Sequence, residues 1–567
     1  MTSPWMLGNT TVRSALRLKD GLAALLASGL VGNLDRENET AFAWALDEHG
    51  VVSLSDETED VSSLGRKWRS ALGKLGFIVP KVPARLRSDL DVIGQEYTIT
   101  ENGYRLLAAE SVPAIQEVFL RAIAAVQVPS PLDNRFDPPP FTPLRHVLRV
   151  MLALLEETGS SHITPVEMAT IVQLVTPSVP TTDIVARILD LRARRENSDN
   201  KRAFDRFERE AAAVAARVVP GTLHDYADLN FRYIKATGLV QGKGRGIALV
   251  PEQQTMAELL VSEVEPELSE IAYLERLCRG AVLPTDTQYG ALVVLTQLSE
   301  SAKARGIDLD IDTFKLTEPA DIAVARHEIE DLISKSKEVD YAAEQASRIA
   351  EILAVMDLII TRRTSTTVGD EEISVPKDER PAYFEWVIWR AFLAINHLAV
   401  PPYKVRRFKI DQDFLPVGNA PGGGADLIVE FDDFVLVVEV TLTENSRQEA
   451  AEGEPVRRHV ADIVEQHADT GKTVYGLFMA NKIDTNAAET FRIGSWYRAD
   501  DSRMSLDIAP FTLAQFRALV ASMFDRGEVH PNAVREVIDA AIELRKESDF
   551  APEWKAKLME LLPVPTP

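Results

Sequence analysis

The chain has little cysteine, no long apolar run and a deficit of positive charge. Its 567 residues include one cysteine, Cys278, which excludes intrachain disulfides and a cysteine zinc site. No apolar run approaches the ~20 residues that span a bilayer, so no membrane partner is expected. Lysines and arginines number 62 against 86 acids, a net charge of −24. That balance argues against nonspecific coating of DNA but leaves binding through local basic clusters open.

The N-terminal region predicts no targeting segment. Basic residues precede GLAALLASGLVG, but Asp20 interrupts the pattern and no A-x-A-like cleavage site follows Leu30. An ordinary helix is therefore favoured over a signal peptide, and we expect a cytoplasmic protein. The length predicts three or four domains of about 150 residues each.

The first segment, to about residue 125, has the order of a winged-helix unit. A helix ends near Gly76, a strand follows, and Tyr97 to Thr100 predict a second strand before a turn at Glu101 to Gly103 and a further helix. The first of these helices is basic, which is typical of a DNA-facing helix and also of an ordinary solvated face. Its candidate DNA contacts are Arg66, Lys67, Arg69 and Lys74, with Lys67 and Lys74 two turns apart on one face.

A second segment follows the Pro-rich stretch VPSPLDNRFDPPPFTP, which predicts a linker. TPVEMATIVQLV predicts a helix with Thr164 as N-cap and Pro165 at its first position. A later helix ends at Gly238, and GKGRG predicts a tight turn between strands at 239–241 and 247–250. A basic hairpin tip beside a basic helix indicates DNA contact more specifically than either feature alone. The candidate contacts are Arg232, Lys235, Lys243 and Arg245.

Two further stretches carry no readable chemistry. From Met256 to about Ile360 the sequence is helical and mostly acidic, which predicts a spacer. TRRTSTTVGDEE, beginning at Thr361, predicts a polar loop and a candidate hinge.

The most informative stretch is ADLIVEFDDFVLVVEVT. If Asp432 and Asp433 form a two-residue turn, counting outward along both strands places Asp426 opposite Glu439, with Cβ atoms about 4.5–5.5 Å apart. Two opposed acids repel, and a charge in the apolar run around Glu439 is uncommon unless it is paired or metal-bound. The pair therefore predicts a divalent-cation site, with Mg²⁺ as the natural occupant. The alternative is that Asp426 merely ends a strand and Glu439 is solvated.

Two more acids are candidates for the same site. Glu385 lies on the apolar stripe of the helix PAYFEWVIWRAF, although a helix N-terminal third also favours an anion. Glu452 begins a helix thirteen residues after Glu439, where an acid in the acidic stretch EAAEGE has the same ordinary explanation. Phosphodiester hydrolysis by carboxylate-held Mg²⁺ fits this set. Neither a serine–histidine–acid set nor a P-loop is readable elsewhere, and GNAPGGGA is interpreted as a flexible approach to the strand.

At these residues the chain resembles the PD-(D/E)xK nucleases, and more closely the AlwI family of type IIS restriction and nicking endonucleases. PAYFEWVIWRAF, ADLIVEFDDFVLVVEVTLT, RQEAAEGEPVRRHVADI and the opening WMLGNTTVR carry the likeness. The resemblance implies a multidomain α+β fold. Its parts would be winged-helix-like recognition domains at 1–130 and 140–255, a helical linker domain at 256–370, and an α/β cleavage domain with a mixed sheet at 375–567. It also implies Mg²⁺-dependent cleavage of double-stranded DNA at a fixed distance from a short asymmetric site, and a cognate DNA methyltransferase in the same system.

The four acids Glu385, Asp426, Glu439 and Glu452 match the family's acidic positions. The resemblance implies metal ligation by Asp426, Glu439 and the carbonyl of Val440. Ala425 stands where the wider nuclease pattern has proline, and Thr441 stands where it has the lysine that orients or deprotonates the attacking water. That role must fall to a second metal, to Glu452, or to a nearby base or cation, for which Arg447 and Gln448 are unranked candidates.

The leading prediction is thus a site-specific, Mg²⁺-dependent DNA endonuclease. One catalytic centre cuts one strand, so double-strand cleavage requires a second copy of the chain or a partner nuclease subunit, and a chain that engages neither is a nickase. The first alternative is a winged-helix DNA-binding regulator with a non-catalytic C-terminal domain, which the opposed acids disfavour. A metal-dependent RNase or repair nuclease is the second, and the paired winged-helix interpretations favour duplex DNA over RNA.

Overall fold

The computed structural model describes residues 3–52, 54, 61–133, 139–310, 313–369 and 371–564. The predicted Pro-rich linker lies partly outside the described residues. The chain divides into two compact units, Met1–Ile333 and Ser334–Pro567. The finer division into four domains stays a prediction. Among the described residues, no helix combines the length and apolar character needed to cross a membrane.

The first unit is mainly helical, and one cluster of buried apolar side chains includes residues from Trp5 to Ile333. Its helices are α1 (Leu18–Ala27), α2 (Glu39–Glu48), α3 (Ser62–Lys74), α4 (Glu101–Ala108), α5 (Val112–Ala125), α6 (Pro143–Thr158), α7 (Pro165–Thr170), α8 (Thr181–Glu196), α9 (Lys201–Ala216), α10 (Pro220–Lys235), α11 (Gln254–Ser262), α12 (Glu270–Arg279), α13 (Gln288–Ala304) and α14 (Pro319–Ala343), which continues into the second unit.

The strand pairing predicted after α3 is present as a single antiparallel bridge, without strands of its own. The Val79 N–H donates to the Thr98 carbonyl at 2.9 Å, and an antiparallel bridge joins Ile78 to Ile99. The turn predicted at residues 101–103 is wrong, because α4 already begins there. Thr100 caps that helix by accepting a hydrogen bond from the Gly103 N–H, so the polar residues after it form a first helical turn.

The second predicted hairpin is also present, as β1 (Val240–Lys243) and β2 (Gly246–Leu249). Lys243 aligns with Gly246, so Gly244 and Arg245 form the two-residue turn, and Gly244 has the positive φ (+55°) that such turns require. Thr164 caps α7 in a capping box, as the sequence predicts, but α7 ends at Thr170, several residues earlier than expected.

The described residues from 256 to 361 contain helices and no strand, as the pattern predicts. Cys278, on α12, is 3% exposed in a small apolar cluster with Val79 and Leu274. The separate linker domain stays a prediction, because residues up to Ile333 belong to the first unit and the rest to the second.

The second unit contains a four-stranded sheet with helices around it. Two separate pairs of strands, β3 with β4 and β8 with β9, lie outside this sheet. The strands of the unit are β3 (Ser365–Val368), β4 (Glu371–Ser374), β5 (Leu427–Glu430), β6 (Phe434–Thr441), β7 (Thr473–Ala480), β8 (Ser495–Tyr497), β9 (Arg503–Ser505) and β10 (Ile508–Thr512). The helices are α15 (Ile349–Thr361), α16 (Arg380–Ile395), α17 (Pro402–Val405), α18 (Arg447–Gln466), α19 (Thr485–Ile493), α20 (Leu513–Arg526), α21 (Pro531–Lys546) and α22 (Ala551–Leu561).

The polar loop predicted after Thr361 is wrong, because β3 and β4 form an antiparallel hairpin there. β3 consists of Ser, Thr, Thr and Val, and β-branched residues favour extended backbone even in a polar segment. Gly369 follows with φ +58° and supplies the positive φ of a tight turn. The sequence interpretation gave too much weight to polarity and too little to side-chain branching.

The main sheet has the order β10-β7-β6-β5. β5 runs antiparallel to β6, while β6, β7 and β10 are parallel, so the sheet is mixed as predicted. Helix α18 connects the parallel strands β6 and β7. Val435 to Val438 in β6 are fully buried, and all of residues 382–395 in α16 are buried. This burial places both elements inside the apolar core of the second unit.

Candidate active site

The opposed acids lie at the open end of the β5–β6 hairpin. Leu427 aligns with Val438, so the next position outward places Asp426 opposite Glu439. The register that the sequence predicts is therefore confirmed. A shift of one residue would turn Glu439 to the other face of the sheet.

Four carboxylates from separate elements lie near enough to this point for their charges to interact. Glu385 comes from α16, Asp426 directly precedes β5, Glu439 lies in β6 and Glu452 lies in α18. The charge of Asp426 acts on Glu385, and the charge of Glu439 acts on both Asp426 and Glu452. The structure thus brings together all four acids that the sequence nominates, while their catalytic role stays a prediction.

Backbone N–H groups hold two of these carboxylates. Asp426 Oδ2 accepts a hydrogen bond from the Val440 N–H at 2.9 Å, and Glu385 Oε2 accepts one from the Ala420 N–H at 2.7 Å. Ala420 belongs to the GNAPGGGA segment, so that segment contributes a donor to the site. Each bond fixes the orientation of a carboxylate but replaces only part of its hydration.

A histidine holds the third acid. Glu439 is 7% exposed, and its Oε1 lies 2.5 Å from Nδ1 of His459 on α18. His459 is itself 7% exposed, and its Nε2 is buried with no hydrogen-bond partner among the described residues. The fourth acid, Glu452, accepts a hydrogen bond from the Thr441 hydroxyl. The carboxylates are therefore held in fixed positions by the chain itself.

Burial and mutual repulsion raise the pKa values of three of the acids. For Asp426, burial and then the charge of Glu439 raise the pKa to about 8, against the opposing hydrogen bond from Val440. Burial, followed by the charge of Asp426, raises the pKa of Glu385 well above its usual range. The pKa of Glu452 is raised, mainly by burial. A site that disfavours its own negative charges in this way favours a bound cation.

Arg407 is a cation at this site that the sequence gave no reason to select. Its charge lowers the pKa of both Glu385 and Asp426, against the larger effect of burial. The guanidinium donates to the Ala425 carbonyl at 3.3 Å, and a Cβ on Gly424 would lie 2.5 Å from its Nη1. The glycine therefore leaves room for the arginine.

His459 was also missed, although a signal for it existed. It lies seven residues after Glu452, so two helical turns place both side chains on one face of α18. Arg407 lies nineteen residues before Asp426, across an irregular segment, and no local pattern links the two.

The structure separates the candidates for the missing lysine. Thr441 is 9% exposed and donates to Glu452. Gln448 is fully buried, donates to the carbonyls of Thr443 and Lys482, and is therefore a structural clamp. Arg447 is exposed beyond the end of β6. Arg407 is a cation whose charge acts on two of the carboxylates, Glu385 and Asp426.

The donor set suits a hard divalent cation, because carboxylate oxygens are the ligands that Mg²⁺ prefers. In the described residues, no three His, Cys, Asp or Glu side chains converge closely enough to form a metal site as they stand. Each carboxylate is instead engaged by its own hydrogen-bond donor. Metal binding by Asp426, Glu439 and the Val440 carbonyl therefore stays a prediction, which the raised pKa values support.

The first group of predicted DNA contacts is divided by the structure. Arg66 is exposed and Lys67 is partly exposed on α3. Arg69 instead pairs with buried Glu39 at 2.7 Å and donates to the Leu34 carbonyl. The ammonium of Lys74 donates to the Gly8 carbonyl at 3.0 Å. Arg69 and Lys74 therefore stabilise the unit, whatever further role they have.

The second group is more open. Lys243 and Arg245 are both exposed at the β1–β2 turn, and Lys243 Nζ lies 3.3 Å from the Ser160 hydroxyl. On α10, Arg232 pairs with Asp228 at 3.0 Å and Lys235 is half-buried. The hairpin tip thus offers the more accessible positive charges.

Comparison with known proteins gives a family match. The model of the AlwI restriction endonuclease family matches residues 73–519, which is most of the chain. The matched region includes all four acids as well as the β1–β2 hairpin. No curated protein matches the chain significantly.

Two solved structures are similar over part of the chain. The small subunit of the heterodimeric restriction endonuclease R.BspD6I is 26% identical and covers 37% of this chain and 98% of its own, with a TM-score of 0.28. The BpuJ1 endonuclease binding domain, solved with pyrene- and phenanthrene-modified DNA, is 11% identical. It covers 43% of this chain and 85% of its own, with a TM-score of 0.28. Both TM-scores are too low to carry a conclusion about this chain.

Proposed function

Because the chain belongs to the AlwI restriction endonuclease family, we propose that it is a type IIS enzyme whose second unit hydrolyses one strand of duplex DNA at a fixed distance from a short asymmetric site. The observation that carries this proposal is the meeting of Glu385, Asp426, Glu439 and Glu452 at one edge of the sheet, buried enough to raise the pKa values of three of them. A regulator with a non-catalytic second unit has no use for acids whose burial costs stability.

Mg²⁺ is the proposed cofactor, and Asp426, Glu439 and the carbonyl of Val440 are its proposed ligands. When bound, the ion would supply charge neutralisation at the phosphate and a more acidic water. The chain positions these ligands through the Val440 N–H on Asp426 and the imidazole of His459 on Glu439.

The remaining groups have distinct proposed roles. Glu452 accepts a proton from the attacking water, because its raised pKa makes it a stronger base than an exposed carboxylate. Arg407 places positive charge beside Glu385 and Asp426, where a DNA phosphate would add further negative charge. Glu452 and Arg407 together would supply the proton transfer and the positive charge of the lysine that Thr441 replaces.

The partners follow from the single site. One set of acids cuts one strand, so cleavage of both strands needs a transient self-dimer or a second nuclease subunit, and a chain acting alone nicks. Recognition is proposed for the first unit, with Lys243 and Arg245 contacting the DNA. A cognate DNA methyltransferase would protect the host site.

Supercoiled plasmid incubated with Mg²⁺ tests the proposal. We expect nicked or linear product from the wild-type chain, and none from Asp426→Asn or Glu439→Gln. Asp432→Asn is the matched control, because it removes the same charge from the exposed turn of the same hairpin. Mapping of the cut ends gives the site and its offset. Absence of cleavage by the wild-type chain across varied plasmids would contradict the proposal.

A further inference from the structure

A cavity of about 570 Å³ is lined by residues that closely follow the C-terminal ends of β6 and β7. It is lined by the segment after β6, by Lys482 after β7 and by Arg362 after α15; the full lining is Arg362, Leu442, Thr443, Glu444, Asn445, Arg447 and Lys482. Thr441 aligns with Ala480, so both strands leave the sheet at this level. Glu439 lies two residues before the end of β6.

The charge of this cavity is positive in a chain of net charge −24. Arg362 pairs with Glu444 at 2.7 Å, which leaves that pair neutral. Arg447 and Lys482 are both exposed, and neither forms an ion pair with an acid within the part of the chain that the structure describes. Two cations without an acidic partner in the described residues therefore line this cavity.

Hydrogen bonds from one buried side chain connect the segments that line the cavity. Gln448 is fully buried and donates to the carbonyls of Thr443 and Lys482, so one side chain ties together the two segments that line the cavity. The same side chain accepts a hydrogen bond from the Asp484 N–H at 2.7 Å. The segments that carry Arg447 and Lys482 are consequently connected to each other through Gln448.

From this geometry we propose that the cavity binds a phosphodiester group of the DNA strand that is cut, within a few nucleotides of the scissile phosphate. An arginine and a lysine supply forked and point-like donors for phosphate oxygens. Thr443 and Asn445 line the same space. The inference rests on the proposed function, because it makes this cavity the positioning site for the same strand.

The first arm measures DNA binding without cleavage. The affinity of the full-length chain for duplex DNA is measured in EDTA at several salt concentrations, for the wild type and for Arg447→Gln with Lys482→Gln. The control is Arg458→Gln with Lys546→Gln, an equal charge change at one partly exposed and one exposed residue, which pair with Glu454 and Glu543. Loss of one phosphate contact should reduce the slope of log affinity against log salt by about 0.9. The control should keep the wild-type slope.

The second arm locates the phosphate. Each phosphate near the cut is replaced in turn by a neutral methylphosphonate, and single-turnover cleavage is measured. One replacement should slow the wild type at least tenfold and leave the rate of the Arg447→Gln/Lys482→Gln variant unchanged. If every replacement slows both proteins equally, the cavity does not contact the strand.

Three further results would overturn the inference. The first is an unchanged salt slope in the cavity variant, and the second is failure of the wild type to bind DNA. The third is thermal stabilisation by inorganic phosphate that the cavity variant loses while its salt slope stays normal, which would make the cavity a site for a free anion. A wild type that binds with the predicted slope but never cuts DNA would contradict the proposed function alone.

Discussion

Neutralising Asp426 should stabilise the metal-free protein, although it should abolish cleavage. Burial and the charge of Glu439 raise the pKa of Asp426 from 3.8 to about 8. Above pH 4 the Asp426 carboxyl is therefore ionised in the unfolded chain, whereas in the folded chain it stays protonated up to about pH 8. The contribution of this group to the free energy of unfolding is fully present below pH 3.8 and is lost progressively as the pH rises toward 8.

The size of this effect follows from the interval between the two pKa values. At about 1.4 kcal/mol per unit, the interval is worth about 6 kcal/mol. Water reaches the partly exposed carboxyl and screens part of that, so we expect Asp426→Asn to gain about 2–3 kcal/mol at pH 8. The amide oxygen of the variant can still accept the hydrogen bond from Val440.

Urea unfolding in EDTA at pH 4 and pH 8, followed by circular dichroism, measures the gain. Asp432→Asn is the control, because that carboxyl lies in the exposed turn of the same hairpin. The free energies of unfolding of wild type and Asp426→Asn should converge at pH 4 and separate at pH 8. A variant that is less stable than the wild type at pH 8, or a difference that does not change with pH, would refute the reasoning.

Three other changes test separate parts of the site and of the DNA contact. His459→Ala leaves Glu439 buried without its partner, and we expect single-turnover cleavage to slow by about 10- to 100-fold, with His459→Asn partly restoring it. Arg407→Gln removes the charge that opposes the raised pKa values, so the acidic limb of the pH–rate profile should move to higher pH, while Arg407→Lys should move it less. Lys243→Gln with Arg245→Gln should weaken DNA binding and lower its salt slope by about one to two, without changing the urea midpoint.

The register of the hairpin was predictable because it depends on a count. A two-residue turn and two apolar strands leave one pairing in which the buried faces agree, and that pairing places Asp426 opposite Glu439. Glu439, an acid inside the apolar run of β6, is also recognisable from the sequence as a candidate site residue, since burial of an unpaired charge is costly. These features are local, so one stretch of sequence contains them.

The rest of the site depends on packing between distant segments. Arg407 reaches the carboxylates across an irregular loop, and its place depends on the absence of a side chain at Gly424. The separation of Gln448 from Arg447 depends on which side of α18 packs against the sheet, since Gln448 is buried and Arg447 is exposed. Propensity and spacing do not contain that information.

The DNA contacts predicted on the basic helix α3 also depend on packing that the sequence pattern does not contain. The sequence treats Arg66 and Arg69 alike, yet Arg69 is held by Glu39, which is remote in sequence and buried. A count of positive charges therefore overstates the surface available to DNA. Only the tertiary partners of each residue distinguish a structural cation from an exposed one.

The central claim is that the acid pair cuts DNA with the help of Mg²⁺. The most direct test is single-turnover cleavage of an end-labelled duplex that carries the mapped site, titrated with Mg²⁺, for wild type, Glu439→Gln and Asp432→Asn. We predict saturable cleavage with a 5′-phosphate at the cut for wild type and Asp432→Asn, and a loss of at least a thousandfold for Glu439→Gln. Cleavage by Glu439→Gln at the wild-type rate, or wild-type cleavage that persists in EDTA, would contradict the account.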